Sequence, residues 1–136
     1  MSDRISVERR SANMARIRGK DTSPELRTRK AAHSMGLRFR LHRRDLPGKP
    51  DLVFPKYRTA IFVHGCFWHQ HAACKRASRP KSNRDYWDRK LKRNVERDAA
   101  AINALAASGW HVGVIWECQT TDEAVLVSEI EAILSR

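Results

Sequence analysis

The chain has 136 residues, and 27 Lys or Arg against 15 Asp or Glu give a formal net charge of +12. With 41% hydrophobic and 31% charged residues, the composition is that of a globular protein and excludes a disordered chain or a fibre. No apolar run approaches the ~20 residues that a membrane helix needs, and the polar N-terminus predicts no signal peptide. We therefore expect a soluble, cytoplasmic protein with no membrane contact.

The basic residues are unevenly distributed along the chain. Residues 26–44 contain seven Lys or Arg and no acid, and residues 75–97 contain ten against three acids. Beyond Trp116 the balance reverses, with five acids against a single arginine. This segregation favours a surface that binds a polyanion, with nucleic acid as the first candidate, over a merely basic surface.

The first predicted elements are a basic arm over residues 1–20 and a single domain over residues 21–136. In that domain, Ser23 can cap a helix, and the proline and the acid that follow it suit a first helical turn. We expect this helix to run over residues 23–35 and to stop at Gly36.

Four strands and two further helices follow in the prediction. The strands are expected over residues 37–42 (alternating and half-buried), 51–54, 59–63 (apolar throughout, hence central) and 110–116. A long helix is predicted over residues 82–107, with apolar residues Trp87, Leu91, Val95, Ile102 and Leu105 near one face. Thr120 and Glu123 form the pattern of a capping box for a last amphipathic helix. The order predicts an α/β fold with a mixed sheet, in which the first strands pair antiparallel and the fourth runs parallel to a neighbour.

Three cysteines and one histidine have the chemistry of a metal site. Cys66, His71 and Cys74 lie in one short loop, and Cys118 directly follows the fourth predicted strand. Three thiolates and one imidazole complete a tetrahedral zinc site of the closed, structural type. The spacing is not that of a zinc finger, and the alternative is three ordinary buried thiols.

An acid and two histidines form a second candidate group, consisting of Asp51, His64 and His69. An acid before one strand, followed by an apolar strand, is typical of restriction-type nucleases, in which an acid-x-lysine on the second strand completes a magnesium site. Here Val63 and Gly65 occupy those two positions, although a backbone carbonyl is also a hard ligand for magnesium. The alternative is an acid that simply ends a turn.

Aromatic residues are the third feature. Phe67 and Trp68 adjoin each other in a polar loop, and Trp87 lies at the start of the basic helix. Apolar side chains among basic residues can enter a base stack and open a duplex. For Trp87, packing in the core at helical spacing is an equal alternative.

The motifs VHGCFWH at residues 63–69, LPGKPD at residues 46–51 and KRNVERD at residues 92–98 together resemble the very-short-patch repair (Vsr) DNA mismatch endonucleases. The similarity extends over residues 11–118. It implies a restriction-endonuclease-like core with a structural zinc and a magnesium-dependent, monomeric nickase. Such an enzyme cuts 5′ to the T of a T:G mismatch that arises when 5-methylcytosine deaminates.

The resemblance also implies roles for particular residues. Asp51 and the backbone carbonyl of Val63 would hold Mg2+, and His69 would be the general base. The other implied catalytic residues are His64, Glu25 and Asp98, and the implied zinc ligands are Cys66, His71, Cys74 and Cys118. The implied DNA-binding residues are Met14, Phe67, Trp68, Trp87, Lys92, Arg93 and Asn94.

The implied partners are double-stranded DNA with a T:G mismatch and mismatch-repair proteins. Gln70 and Ala72–Ala73 depart from the family pattern, which affects the expected flanking-sequence preference more than the expected activity. The competing hypothesis is a non-catalytic, zinc-containing DNA-binding module, which would need neither Asp51 nor His69 in an acid–base arrangement.

Overall fold

A computed structural model of the chain describes residues 21–135, so the predicted arm and its Met14 lie outside the described residues. In order, the elements are α1 (Ser23–Ser34), β1 (Arg40–Leu41), β2 (Leu52–Phe54), β3 (Thr59–His64), α2 (Arg84–Ala107), β4 (His111–Trp116) and α3 (Glu123–Leu134). Short 3-10 turns occupy Pro55–Tyr57, Lys75–Ala77 and Glu117–Thr121. No helix among these residues is long and apolar enough to cross a membrane.

The four strands form one mixed sheet in the order β1-β2-β3-β4. β1 pairs antiparallel with β2, β2 pairs antiparallel with β3, and β3 pairs parallel with β4 from Thr59↔His111 to His64↔Trp116. This confirms the predicted mixed α/β architecture and the central position of β3, which is buried along its whole length. Because β3 and β4 are parallel, both strands end at the same edge of the sheet, and the residues after them meet there.

Alternate residues of β3 face two separate apolar clusters, as the period of a strand requires. Ile61 and Val63 face a cluster that includes residues of α1 and α3, whereas Ala60 and Phe62 face one that includes Leu105 of α2. The result is three layers, with α1 and α3 on one face of the sheet and α2 on the other.

Gly113 in β4 permits the close approach of α3 to the sheet. A Cβ atom at this position would lie 2.5 Å from Cγ2 of Ile133, closer than real side chains come. A larger residue would therefore push α3 away from β4.

Two helix caps differ from the predicted ones. The hydroxyl of Thr22, not of Ser23, accepts the backbone N–H of Glu25 at the start of α1. α3 is capped by Asp122 rather than Thr120, through the N–H groups of Ala124 and Val125. Thr120 is unavailable as a cap because its hydroxyl donates to the carbonyl of Glu117 and accepts from the guanidinium of Arg27.

β1 is shorter than the predicted strand over residues 37–42. Only Arg40 and Leu41 pair with β2. The expected alternation of partly buried and exposed residues holds over residues 37–40 and fails at Leu41, which is exposed. The backbone of His42 has a φ of +46°, which ends the extended conformation directly after Leu41. In α2, Val95 is 42% exposed and does not belong to the buried face on which it was predicted.

Candidate functional site

Asp51 lies immediately before β2, at the edge of the sheet where β3 ends. Its Oδ2 accepts the backbone N–H of Val63 at 2.7 Å, which joins the two residues that the sequence had paired. Burial raises the pKa of Asp51 from 3.8 to about 7, and the neighbouring Glu25 charge adds to the rise. The Val63 N–H and the imidazoles of His42 and His69 oppose that rise.

Glu25 brings a second carboxylate to this edge from the first turn of α1. Its side chain is only 3% exposed, and its Oε2 lies 3.1 Å from a guanidinium nitrogen of Arg29 and 2.9 Å from Nε2 of His42. The backbone N–H of Asp21 also donates to Oε2, at 3.2 Å. Glu25 is thus held at a defined position beside Asp51 by several donors.

The two carboxylates fit a divalent cation. Burial is the main cause of the raised pKa of Asp51, and the charge of Glu25 adds to it. A cation between or beside the two carboxylates would favour both charged forms. Carboxylate oxygens are also the hard donors that magnesium takes. The carbonyl of Val63 stays a predicted ligand, and the contact of its N–H with Asp51 keeps that backbone next to the carboxylate.

His64, His69 and Asp98 form the other half of the site. Nδ1 of His69 lies 2.5 Å from Oδ2 of Asp98, which projects from α2. The ring of His64 stacks on that of His69, with centroids 3.8 Å apart and planes inclined by 6°. Burial lowers the pKa of His64 to about 4, with a further contribution from the charge of His69, so His64 is neutral near pH 7.

This pairing gives His69 a defined chemistry. If Nδ1 donates its proton to the Asp98 carboxylate, Nε2 is the nitrogen with a free lone pair and can accept a proton. An aspartate that orients a histidine in this way is the arrangement of a general base. His69 also lowers the pKa of Asp51, which places the two halves within electrostatic reach of each other.

The four predicted metal ligands meet where the loop after β3, which carries three of them, lies against the turn after β4, which carries Cys118. The donor atoms of Cys66, His71, Cys74 and Cys118 all lie within 4.8 Å of one another. Nδ1 of His71 is 3.6 Å from the sulfur of Cys66 and 3.5 Å from that of Cys118. Burial raises the pKa of the Cys66 thiol to about 12, and a thiol needs a positive partner to ionise there. Three sulfurs and one imidazole nitrogen at this spacing fit a tetrahedral ion such as zinc.

The structure brings the three predicted aromatic residues together. The ring of Phe67 makes edge contacts with those of Trp68 and Trp87, at centroid distances of 5.3 and 5.5 Å. Phe67 and Trp68 are partly exposed, whereas Trp87 is 1% exposed and supports the other two from α2. Trp87 therefore packs as its core alternative predicted, and any entry of its indole into DNA would require this group to rearrange.

Backbone carbonyls of the aromatic turn are held by side chains. Nδ2 of Asn94 donates to the carbonyl of Trp68 at 3.3 Å. Nε2 of Gln70 donates to the carbonyl of Phe67 at 2.7 Å, and its oxygen accepts from Arg79 at 2.8 Å. Lys92 and Arg93, the other predicted DNA-binding residues of α2, are exposed.

Sequence reasoning missed His42 and the supporting role of Gln70. His42 closes a predicted strand, and no spacing motif marks it as a neighbour of Glu25, seventeen residues earlier. Its proximity to Asp51, 3.9 Å from Nε2 to Oδ1, depends on the turn at its own backbone. A histidine by itself does not signal that turn, because most histidines have a negative φ even though this residue type is enriched at positive φ.

A carboxylate pair at a strand edge, beside a histidine paired with an aspartate, fits the class of metal-assisted hydrolases. The sequence profile described as DNA mismatch endonuclease Vsr matches residues 2–76 of this chain. The chain belongs to the Vsr family of endonucleases.

Individual relatives agree with this assignment. The type II nicking enzyme V.XorIIP of Xanthomonas oryzae is 50% identical over 134 residues, which cover 98% of each chain. The DNA mismatch endonuclease Vsr of Escherichia coli is 40% identical over 131 residues, or 92% of this chain and 83% of the relative. The type II nicking enzyme V.NmeAIP of Neisseria meningitidis is 40% identical over 125 residues, or 92% of this chain and 89% of the relative.

Proposed function

We propose that this chain is a magnesium-dependent nickase that cuts one strand of duplex DNA, 5′ to the T of a T:G mismatch. The pairing of His69 with Asp98, next to Asp51, is the observation that carries the proposal. A non-catalytic DNA-binding module has no use for a histidine oriented as a base beside one buried and one partly buried carboxylate. The biological role that follows is the first step of very-short-patch repair after deamination of 5-methylcytosine.

In this proposal, Asp51 and the Val63 carbonyl hold the cation, and Glu25 supports them. When bound, Mg2+ supplies charge neutralisation at the phosphate and its leaving oxygen. His69 accepts the proton of the attacking water through Nε2 while Asp98 holds Nδ1. His64, being neutral, orients the ring of His69 by stacking and can donate a hydrogen bond to the same phosphate.

The Cys/His cluster has a separate role in the proposal, as a structural Zn2+ site. Four protein donors leave no open position for substrate, which is the arrangement of structural zinc. The cluster joins the loop after β3 to the end of β4, and it therefore fixes the turn that carries Phe67 and Trp68.

Recognition of the mismatch is assigned to the aromatic group. Phe67 and Trp68, with Trp87 beneath them, would enter the duplex, and Met14 would enter from the opposite groove. A T:G wobble pair stacks less well than T:A or C:G, so the unstacking cost of a few kcal/mol per step is lower there. Lys92 and Arg93 would contact phosphates, and Asn94 would act with them at the mismatch while it holds Trp68.

Further parts of the proposal concern the whole protein. We infer a restriction-endonuclease-like core over residues 21–136 and a basic arm over residues 1–20 that contacts DNA. We also infer a monomer that acts in the cytoplasm and meets mismatch-repair proteins on its substrate.

Single-turnover nicking tests the proposal. T:G, T:A and C:G duplexes with one flanking sequence, each labelled on both strands, are incubated with the protein in Mg2+ and in a chelator. We expect one cut, on the T strand of T:G, only in Mg2+. Equal rates on all three duplexes would contradict mismatch specificity. Binding without any cut would favour the DNA-binding module instead.

A further inference from the structure

His42 is placed by an unusual backbone conformation between the two carboxylates of the site. Its φ of +46° lies in the left-handed region, which only a few per cent of non-glycine residues adopt, histidine more readily than most. Its backbone N–H donates to the carbonyl of Asp51 at 3.3 Å, which ties the turn to the start of β2. Strained backbone of this kind persists where the surroundings require it, and it clusters at functional sites.

The imidazole contacts the two carboxylates unequally. Nε2 of His42 lies 2.9 Å from Oε2 of Glu25, which is a hydrogen bond, and 3.9 Å from Oδ1 of Asp51, which is too far for one. Oδ2 of Asp51 is already bonded to the N–H of Val63. His42 therefore holds Glu25 at a fixed place beside Asp51 without occupying Oδ1, the oxygen left for another ligand.

We propose that His42 is a positioning residue that acts through Glu25. It orients the Glu25 carboxylate, so that Glu25 and Asp51 together receive the divalent cation and its water ligands. This inference rests on the proposed function. A hydrogen-bond partner behind a group that serves a metal site commonly contributes about 10–100-fold to metal affinity or activity.

The residue types offered by the chain support this division of labour. Arg29 also contacts Glu25, from α1 itself, but its guanidinium is shared with the carboxylate of Asp21. His42 alone among the described partners of Glu25 also approaches Asp51, so it is the residue that sets the separation of the two carboxylates.

The variants His42→Asn and His42→Gln carry the same amide group at different distances from the backbone. Asparagine tolerates a positive φ, so His42→Asn should fold, but its short amide cannot reach Glu25 as the imidazole does. The longer amide of His42→Gln places a donor nitrogen near the position of Nε2. If His42 positions Glu25, His42→Gln should restore the metal binding that His42→Asn loses. This order is expected even though asparagine tolerates the positive φ better than glutamine does.

The experiment has two measurements. Binding of Mn2+ to the protein without DNA is measured from the electron paramagnetic resonance signal of the free ion. The Mg2+ dependence of activity is measured by titrating Mg2+ in single-turnover nicking reactions. For His42→Asn we expect Mn2+ binding about 10–100-fold weaker and a similar rise in the Mg2+ concentration at half-maximal rate. The rate at saturating Mg2+ should fall much less, and the thermal midpoint measured in a chelator should stay close to that of the wild type. His42→Gln should approach the wild type in both metal measurements.

A double-mutant cycle separates positioning from a general structural effect. In a Glu25→Ala background, His42→Asn should cause little further loss, because the group through which it acts is gone. Additive losses, wild-type Mn2+ binding by His42→Asn, or a His42→Gln protein as impaired as His42→Asn would each overturn the positioning role. Failure of the wild-type protein to nick in Mg2+ would instead overturn the proposed function, and this inference with it.

Discussion

Two groups of side chains lie at the same edge of the sheet, and the chain assembles them differently. Three of the four metal-cluster ligands come from one short loop, residues 66–74, and the fourth, Cys118, directly follows β4. The hydrolytic residues come from distant places in the chain: Glu25 from α1, Asp51 from the start of β2, His64 and His69 from the end of β3 and its loop, and Asp98 from α2.

The two groups also differ in whether they need a binding partner from outside the group. The cluster can satisfy a metal with its own four donors and leaves no position for substrate. The hydrolytic group has a carboxylate whose pKa is raised to about 7 and a histidine with one basic nitrogen free, both of which need a partner from outside. We therefore expect the fold to depend on the first group and the reaction to depend on the second.

The largest expected effect is the loss of the metal cluster. Cys118→Ser should lose the bound metal, and structural zinc contributes ~10–16 kcal/mol in small zinc domains, as much as a whole domain's stability. We expect protein that is unfolded or insoluble, as measured by circular dichroism and by metal content in elemental analysis. Asp51→Asn is the matched control and should keep both fold and zinc. A folded, metal-free and fully active Cys118→Ser protein would contradict the division of roles.

Loss of the catalytic carboxylate should remove the reaction and spare the fold. Asp51→Asn removes a charge that holds the cation, and the several kcal/mol of stabilisation lost correspond to at least about 10³-fold in the nicking rate. Binding to a T:G duplex in Ca2+, measured by fluorescence anisotropy, should change little. Glu131→Gln, an exposed acid on α3, should nick normally. Wild-type nicking by Asp51→Asn would show that the cation is held elsewhere.

Substitutions in the proton-transfer half of the site, His69 and Asp98, should have a smaller effect on the nicking rate. His69→Gln should lower the single-turnover rate ~10²–10⁴-fold, because the group that accepts the water proton is absent. His111→Gln, an exposed histidine at the start of β4, serves as the control. Asp98→Asn should lower the rate less than His69→Gln does, since His69 keeps its ring but loses its orientation. An undiminished rate for His69→Gln would assign the base to another residue.

A further expected effect is a pH dependence of stability that arises at Asp51 in the hydrolytic group. The pKa of Asp51 is raised in the folded state from 3.8 to about 7, so between those values the folded state keeps a proton that the unfolded state has lost. Its contribution to stability is therefore complete below about pH 4 and is lost as the pH rises to about 7, by up to ~1.4 kcal/mol per pH unit.

His64 acts with the opposite sign, because burial lowers its folded-state pKa to about 4, and the measurement must therefore compare variants. In a chelator, denaturant titrations should show Asp51→Asn gaining stability over the wild type as the pH rises from about 4 to about 7. Added Mg2+ should reduce that gain, since a cation favours the charged carboxylate. If the difference in stability between Asp51→Asn and the wild type does not vary with pH, Asp51 is more exposed to solvent than the structure indicates.

Much of the fold could be predicted from local patterns. The apolar run of β3, the turns around β2 and the long periodic helix each depend on neighbouring residues, and their bounds agree with the structure to within two residues. The predicted bounds of β1 were wrong because only residues that pair with β2 belong to this edge strand, and the turn at His42 ends the pairing. The caps at Ser23 and Thr120 were wrong because a neighbouring side chain accepts the N–H groups instead: the hydroxyl of Thr22 in α1 and the carboxylate of Asp122 in α3. Thr120 bonds Glu117 and, through a tertiary contact, Arg27.

Local patterns in the sequence predict the chemistry that this protein carries: two thiols and a histidine in one loop with a third thiol after the last strand, an acid before an apolar strand, and the motifs that place the chain in its family. The packing of the elements, which local patterns do not predict, places Trp87 beneath Phe67 and Trp68. It also places His42 between Glu25 and Asp51. The physical reason is that donor types and periodicity are local properties of the chain. The distance between two side chains on different elements is set instead by how the layers pack.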